Sequence, residues 1–287
     1  MKVNLVSALL ILIRKFRLIH LHWSSIDLAV SAMTCQLAMN RLPTGKSSVP
    51  LSVTFVLGLA VFIISSVNRL LDNRKPVKME MKRFLPNQKN RITFLEVIAG
   101  GLVIAIFLCF YLPGNLWKIV AGLVLISGFL TWLISRLPEK NSLHALRVPV
   151  SAIIFTVSIA AGISFLTDAT TKEIKYSGIL FLLVVFQNFL LSGYFQFIEF
   201  PGVINLASFL KVQRSKQLLH GLTFLIIAGG ISICLKTDFR YTQRLAVIFT
   251  LMSVLQSFML LNSDFIKRNK YKGMLLALVF LIPLLIL

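Results

Sequence analysis

The chain has 287 residues, 57% of them hydrophobic and only 14% charged, with a mean hydropathy of +0.85 and a net charge of +20. Soluble domains carry about 25% charged residues, so this composition excludes an ordinary soluble fold. The basic residues fall in short intervals between apolar runs, which argues against a nucleic-acid partner and for contact with anionic headgroups or diphosphates at a membrane surface.

The apolar runs are about 17–24 residues long and do not alternate, so they indicate an all-α polytopic membrane protein rather than a barrel. Residues 1–23 are expected to form a separate N-terminal segment. Its apolar stretch, 3–13, is followed by Arg14, Lys15 and Arg17. It is too short to span and reads as an interfacial amphipathic helix. Residues 24–287 are expected to form one bundle of nine transmembrane helices.

The first span, about 24–40, opens on Ser24 and Ser25 as N-cap candidates and is the least hydrophobic. Asp27, Gln36 and Asn40 lie in it, and in lipid such residues must face other helices or a cavity. The second span, about 49–71, starts at Pro50 and runs into the longest polar interval of the chain. Spans three and four, about 92–111 and 115–135, join through the turn Leu112-Pro113-Gly114-Asn115. The fifth is about 148–166 and the sixth about 177–200, ending at Pro201-Gly202. Gln187 and Asn188, midway along the sixth, call for interhelical hydrogen bonds. A polar bridge over 203–216 leads to spans seven to nine, about 218–235, 242–261 and 273–287.

With the N-terminus inside, 22 of the 30 Lys and Arg residues fall on the inner side and 8 on the outer. That bias predicts an N-in, C-out orientation with the basic loops cytoplasmic, in a bacterial cytoplasmic membrane or an equivalent organelle membrane.

The interval from Asn68 to Arg91 carries eight basic residues, among them Arg69, Arg74 and Lys75. Asn68 and Asp72 are four apart at one helix end and share a face, as do Gln196 and Glu199, three apart at another. Paired oxygen donors of this kind suit a hard cation such as Mg²⁺, with a diphosphate supplying further ligands and nearby Lys and Arg holding its charge. The plainer alternatives are interfacial solvation of polar helix ends and a positive-inside anchor. Three cysteines and four scattered histidines show no metal-ligand spacing. The spans carry few ionisable residues at mid-depth and no clear repeat of interrupted helices, which counts against a transporter.

These residues resemble the UbiA superfamily of intramembrane prenyltransferases, which have nine transmembrane helices, N-in and C-out, and aspartate-rich motifs after helices two and six. The family's first motif, N-D-x-x-D-x-x-x-D, is similar to N-R-L-L-D-N-R-K-P here, Asn68 to Pro76. Asn68 and Asp72 are kept, while Arg69 and Pro76 stand where aspartates are expected. The stretch Tyr194 to Arg214 resembles the second motif, with Gln196 and Glu199 in place of aspartates and Gly202 kept. Arg147 stands at the position of a phosphate-binding lysine.

The resemblance implies transfer of a prenyl group from a prenyl diphosphate to a lipophilic, possibly aromatic, acceptor. It implies Asp72, Glu199 and Asn68 as catalytic residues and Asn68, Asp72, Gln196 and Glu199 as ligands of Mg²⁺. Arg69, Arg74, Lys75 and Arg147 would bind the diphosphate. The alternative is a catalytically inactive UbiA-like membrane subunit that binds lipid, isoprenoid or pigment, because cation affinity rises with ligand charge and most motif aspartates are replaced.

Overall fold

A computed structural model of the chain describes residues 25–47, 49–72, 91–112, 116–136, 142–166, 172–202, 204–263 and 272–287. Among these residues there are nine α-helices and no strand. They are α1 (Ile26–Met39), α2 (Leu51–Asp72), α3 (Arg91–Cys109), α4 (Leu116–Arg136), α5 (Arg147–Leu166), α6 (Lys172–Glu199), α7 (Leu206–Lys236), α8 (Arg240–Leu261) and α9 (Lys272–Leu278). A 3-10 turn, Ser142–Leu146, leads into α5, and a 3-10 stretch, Val279–Ile286, continues α9. The segment 1–23, Arg74, Lys75 and most of the 112–115 turn lie outside the described residues.

Five helices are long and apolar enough to cross a membrane: Leu51–Leu70, Leu143–Gly162, Lys172–Glu199, Leu206–Lys236 and Arg240–Leu261. The bundle's outer surface matches that solvent. Phe110, Leu235, Leu285, Phe224 and Leu125 are all more than 70% exposed, where a water-soluble protein of this size would keep its apolar patches small.

Helix α6 is the central pillar and packs against α5, α7, α8 and α9. Its Phe181, Val184, Val185, Leu190 and Leu191 are fully buried. Phe181 meets Phe249 of α8 at 5.2 Å between ring centroids, and Phe155 of α5 contacts Phe181, Phe189 and Phe280. Such aromatic pairs add about 0.5–1.5 kcal/mol each beyond their buried area.

The polar pair on α6 finds the partners the sequence calls for. Gln187 Nε2 donates to Thr223 Oγ1 at 2.9 Å and Ser253 Oγ donates to Gln187 Oε1 at 2.6 Å, tying α6 to α7 and α8. Asn188 Nδ2 donates to the Leu276 carbonyl of α9 at 3.1 Å. Helices α7 and α8 also meet closely at Gly230, where an added Cβ would collide with Thr250 Oγ1.

Helix α1 is pinned to the C-terminal segment. Ser31 Oγ donates to Ala277 O at 3.0 Å and Arg41 Nη1 to Leu287 O at 2.5 Å. Ser25 adopts a left-handed φ of 66° and makes no side-chain cap; its hydroxyl instead accepts from Ser65 Oγ of α2 at 3.1 Å.

One expected loop is helix. The polar bridge over 203–216 supplies the first turns of α7, which begins at Leu206 rather than near residue 218. Asn205 caps it: Ser208 N donates to Asn205 Oδ1 at 3.0 Å, and Asn205 N donates to Ser208 Oγ at 3.0 Å. Lys211, with φ 63° and ψ 165°, breaks the helix into a short entry and a long body.

Candidate functional site

Four helices, α1, α2, α4 and α5, contact one another in a ring and line a half-open cavity of about 240 Å³. Its middle is hydrocarbon, with Leu57, Val61, Leu123 and Ile154 on its walls, and the rings of Phe155 and Phe189 close the side towards α6. Arg147 and Gly162, both lining residues on α5, are fifteen residues apart, or about 22 Å at 1.5 Å per residue. The cavity therefore extends over most of the ~30 Å of a bilayer's hydrocarbon.

Four serines line it, Ser65, Ser127, Ser151 and Ser158. Their polarity is partly spent locally. Ser127 donates to the Leu123 carbonyl at 2.6 Å and Ser158 to the Ile154 carbonyl at 2.8 Å, each one turn back on its own helix. Ser65 donates to Ser25. The strong polar groups sit instead at the two ends.

At the first end Arg147 Nη2 donates to Asn68 Oδ1 at 2.6 Å. The pairing follows from the helix geometry. Asn68 lies one turn from the end of α2, where the partial negative charge of a helix C-terminus favours a cation, and Arg147 opens α5 from the facing side. Both residues are half-buried and both line the cavity. A guanidinium beside an apolar cavity is a fixed positive charge whose planar fork matches phosphate or carboxylate oxygens.

At the second end Gln36 of α1 lines the cavity and is 1% exposed. Asn40, one turn on and 2% exposed, lies beside it. Both border Gly162, where an added Cβ would stand 3.5 Å from Gln36 Nε2 and 3.4 Å from Asn40 Oδ1. Gln36 Oε1 and both amide atoms of Asn40 find no hydrogen-bond partner among the described residues.

The predicted site residues divide. The structure brings Asn68 and Arg147 together, although the sequence assigned them separate duties as metal ligand and diphosphate binder. Arg69 follows on α2, half-buried. Asp72 is the last residue of α2, and its side chain lies outside the described residues, as do Arg74 and Lys75. Gln196 Nε2 donates to Ser192 Oγ at 3.2 Å on its own helix, and Glu199 is exposed at the end of α6. Neither is among the residues lining the cavity.

Nor does the described part of the first motif suit Mg²⁺. The Asn68 oxygen that would ligate the ion already accepts from a guanidinium, and a divalent cation at ligand distance from it would face that like charge. Among the described residues no three His, Cys, Asp or Glu side chains come together. Sequence reasoning marked Gln36 and Asn40 as residues that must avoid lipid but gave them no place in a site.

Compared with protein-family profiles, curated proteins and solved structures, the chain matches none.

Proposed function

We propose that this is a UbiA-like intramembrane protein whose four-helix cavity binds a prenyl diphosphate, the diphosphate at Arg147 and Asn68 and the chain along the apolar length. The observation that carries this reading is the Arg147–Asn68 pair at the end of a long, apolar cavity. All nine helices would enter the membrane, N-in and C-out. The 22:8 distribution of basic residues then puts the Asn68 end on the cytoplasmic side. A water-soluble headgroup can reach that end from the cytoplasm, and Arg69, with Arg74 and Lys75 just beyond, adds attraction for it.

The resemblance carries the reading further, to transfer of the prenyl group to a lipophilic acceptor. The allylic C–O bond would break with the diphosphate leaving, and Arg147 and Arg69 would stabilise the negative charge that gathers on it. The resemblance assigns the chemistry to Asp72 and Glu199, the carboxylates of the two motif regions; Glu199 does not line the cavity. A second reading, binding of an isoprenoid lipid without transfer, is favoured by the same Arg147–Asn68 bond, since it fills the place of a metal ligand with a cation.

Purified protein in lipid nanodiscs, titrated with labelled prenyl diphosphates in Mg²⁺ and in EDTA, tests both. Binding that persists in EDTA and falls about 30-fold or more in Arg147→Met supports the site, since charge-assisted hydrogen bonds contribute about 1.5–3 kcal/mol each. Product formed with an aromatic or other lipophilic acceptor selects transfer; binding without product selects the second reading. Absence of binding in both buffers sinks the proposal.

A further inference from the structure

The reading above explains one end of the cavity and leaves the other without a purpose. A plain prenyl chain ends in methyl groups, which give an amide nothing to bond. Yet the Gln36 end presents two adjacent amides, each at least 98% buried, with Gln36 Oε1, Asn40 Oδ1 and Asn40 Nδ2 unpartnered among the described residues. Buried amides are ordinarily satisfied, as Gln187 and Asn188 of this bundle are; Gln256 of α8 is also buried and unpartnered among the described residues, but it does not line the cavity. Among the described residues, Gln36 is the one member of the cavity lining that carries a buried, unpartnered polar side-chain atom.

The local architecture keeps the pair available. Gln36 and Asn40 are four apart on α1, so they share a face and point together towards α5. A glycine stands opposite, and an added Cβ at 162 would lie in van der Waals contact with both amides. Three of the four serines along the wall, Ser65, Ser127 and Ser158, donate to protein oxygens, and the buried unpartnered amides lie about 22 Å along α5 from Arg147.

We propose that Gln36, with Asn40 behind it, forms a second polar subsite that holds a hydroxyl at the far end of the ligand chain. The preferred occupant is then an ω-hydroxylated, single-chain amphiphile with an anionic head. A hydroxyl meets the need from both sides, since its proton can go to Gln36 Oε1 while its oxygen accepts from an amide N–H. This rests on the anionic head lying at Arg147, and it deepens that reading by fixing the chemistry and the length of the tail. A chain that is too short cannot reach the amides, and one that is too long must fold back or leave the cavity.

The test is a series of prenyl diphosphates of increasing chain length, each with and without a terminal hydroxyl, titrated against the full chain in nanodiscs. The expected result is a preference of about tenfold for the hydroxylated form at one chain length, the worth of one well-made hydrogen bond. That preference disappears in Gln36→Leu, while affinity for the unmodified chain is kept or improved. Should Gln36→Leu fail to fold, Gln36→Met, which keeps the side chain's length without its amide, is expected to abolish the preference as well. Equal binding of both forms at every length overturns the subsite and leaves the anionic end standing, as it would if only water occupied the amides. A preference that survives unchanged in the variants also overturns it. If neither form binds, the underlying reading falls and this inference with it.

Discussion

Replacing Asn68 with Asp separates the two duties its oxygen could have. In the wild type, Arg147 Nη2 donates to the neutral amide of Asn68 at 2.6 Å. A carboxylate there would form an ion pair. Two unit charges about 4 Å apart attract by about 4 kcal/mol at an effective dielectric of about 20. Both residues are only half-buried, so solvent screening and side-chain entropy reduce the net gain to roughly 1.5–2 kcal/mol. An anionic ligand must then compete with the new carboxylate. The Kd for a prenyl diphosphate in EDTA should rise about 10–30-fold, and Tm should rise by about 3–8 °C at 2–4 °C per kcal/mol. Isothermal titration and differential scanning fluorimetry in nanodiscs read the two quantities. If Asn68 serves a metal instead, the added charge strengthens ion binding, and Asn68→Asp would tighten diphosphate binding in Mg²⁺. That tightening, with Tm unchanged, would refute the argument.

Three further substitutions test the scaffold. Gly230→Ala places a methyl against Thr250 Oγ1 and should cost about 1–3 kcal/mol of stability; adding Thr250→Ala should restore most of it in the same thermal melt. Asn205→Ala removes the cap of α7 and the 3.0 Å bond to the Gly193 carbonyl. A loss of about 1–2 kcal/mol is expected in an unfolding titration, and a loss below 0.5 would mean the cap is idle. A double-mutant cycle of Gln187→Leu with Ser253→Ala should return a coupling of about 0.6–1.7 kcal/mol, the range for interhelical hydrogen bonds in membranes. Additive effects would show that the 2.6 Å bond contributes nothing.

Most helix limits were legible because a long apolar run bounded by charge has little choice but to be helical. Span three, expected over 92–111, is Arg91–Cys109, and span eight, expected over 242–261, is Arg240–Leu261. Span seven was misjudged at its start. Lys211, Gln213 and Arg214 lower the local hydropathy, but in the fold they point outwards from a capped helix, a distinction hydropathy cannot make. The site was half legible. Asn68 was picked for its chemistry and Arg147 by its place in the family pattern, but that one would bond the other depends on how α2 and α5 pack. Gln36 and Asn40 stood out as polar residues in an apolar span, whereas Gly162 opposite them carries no polar signal at all. Glu199 was assigned by motif position alone, and its exposure at the end of α6 is a property of packing.

Helix α3 packs chiefly against α2 and turns most of its described side chains outwards, including Ile92, Val103, Ile106 and Phe107. If α3 lies in the bilayer, as the nine-helix reading has it, lipid is as good a solvent for those side chains as protein is, and among the described residues its packing against α2 is what chiefly holds it. Its position would then be set in part by the surrounding lipid, through thickness and lateral pressure. Because α2 carries Asn68 on one side and α3 on another, a change of bilayer or detergent would have a mechanical route to the cavity that passes through no ligand.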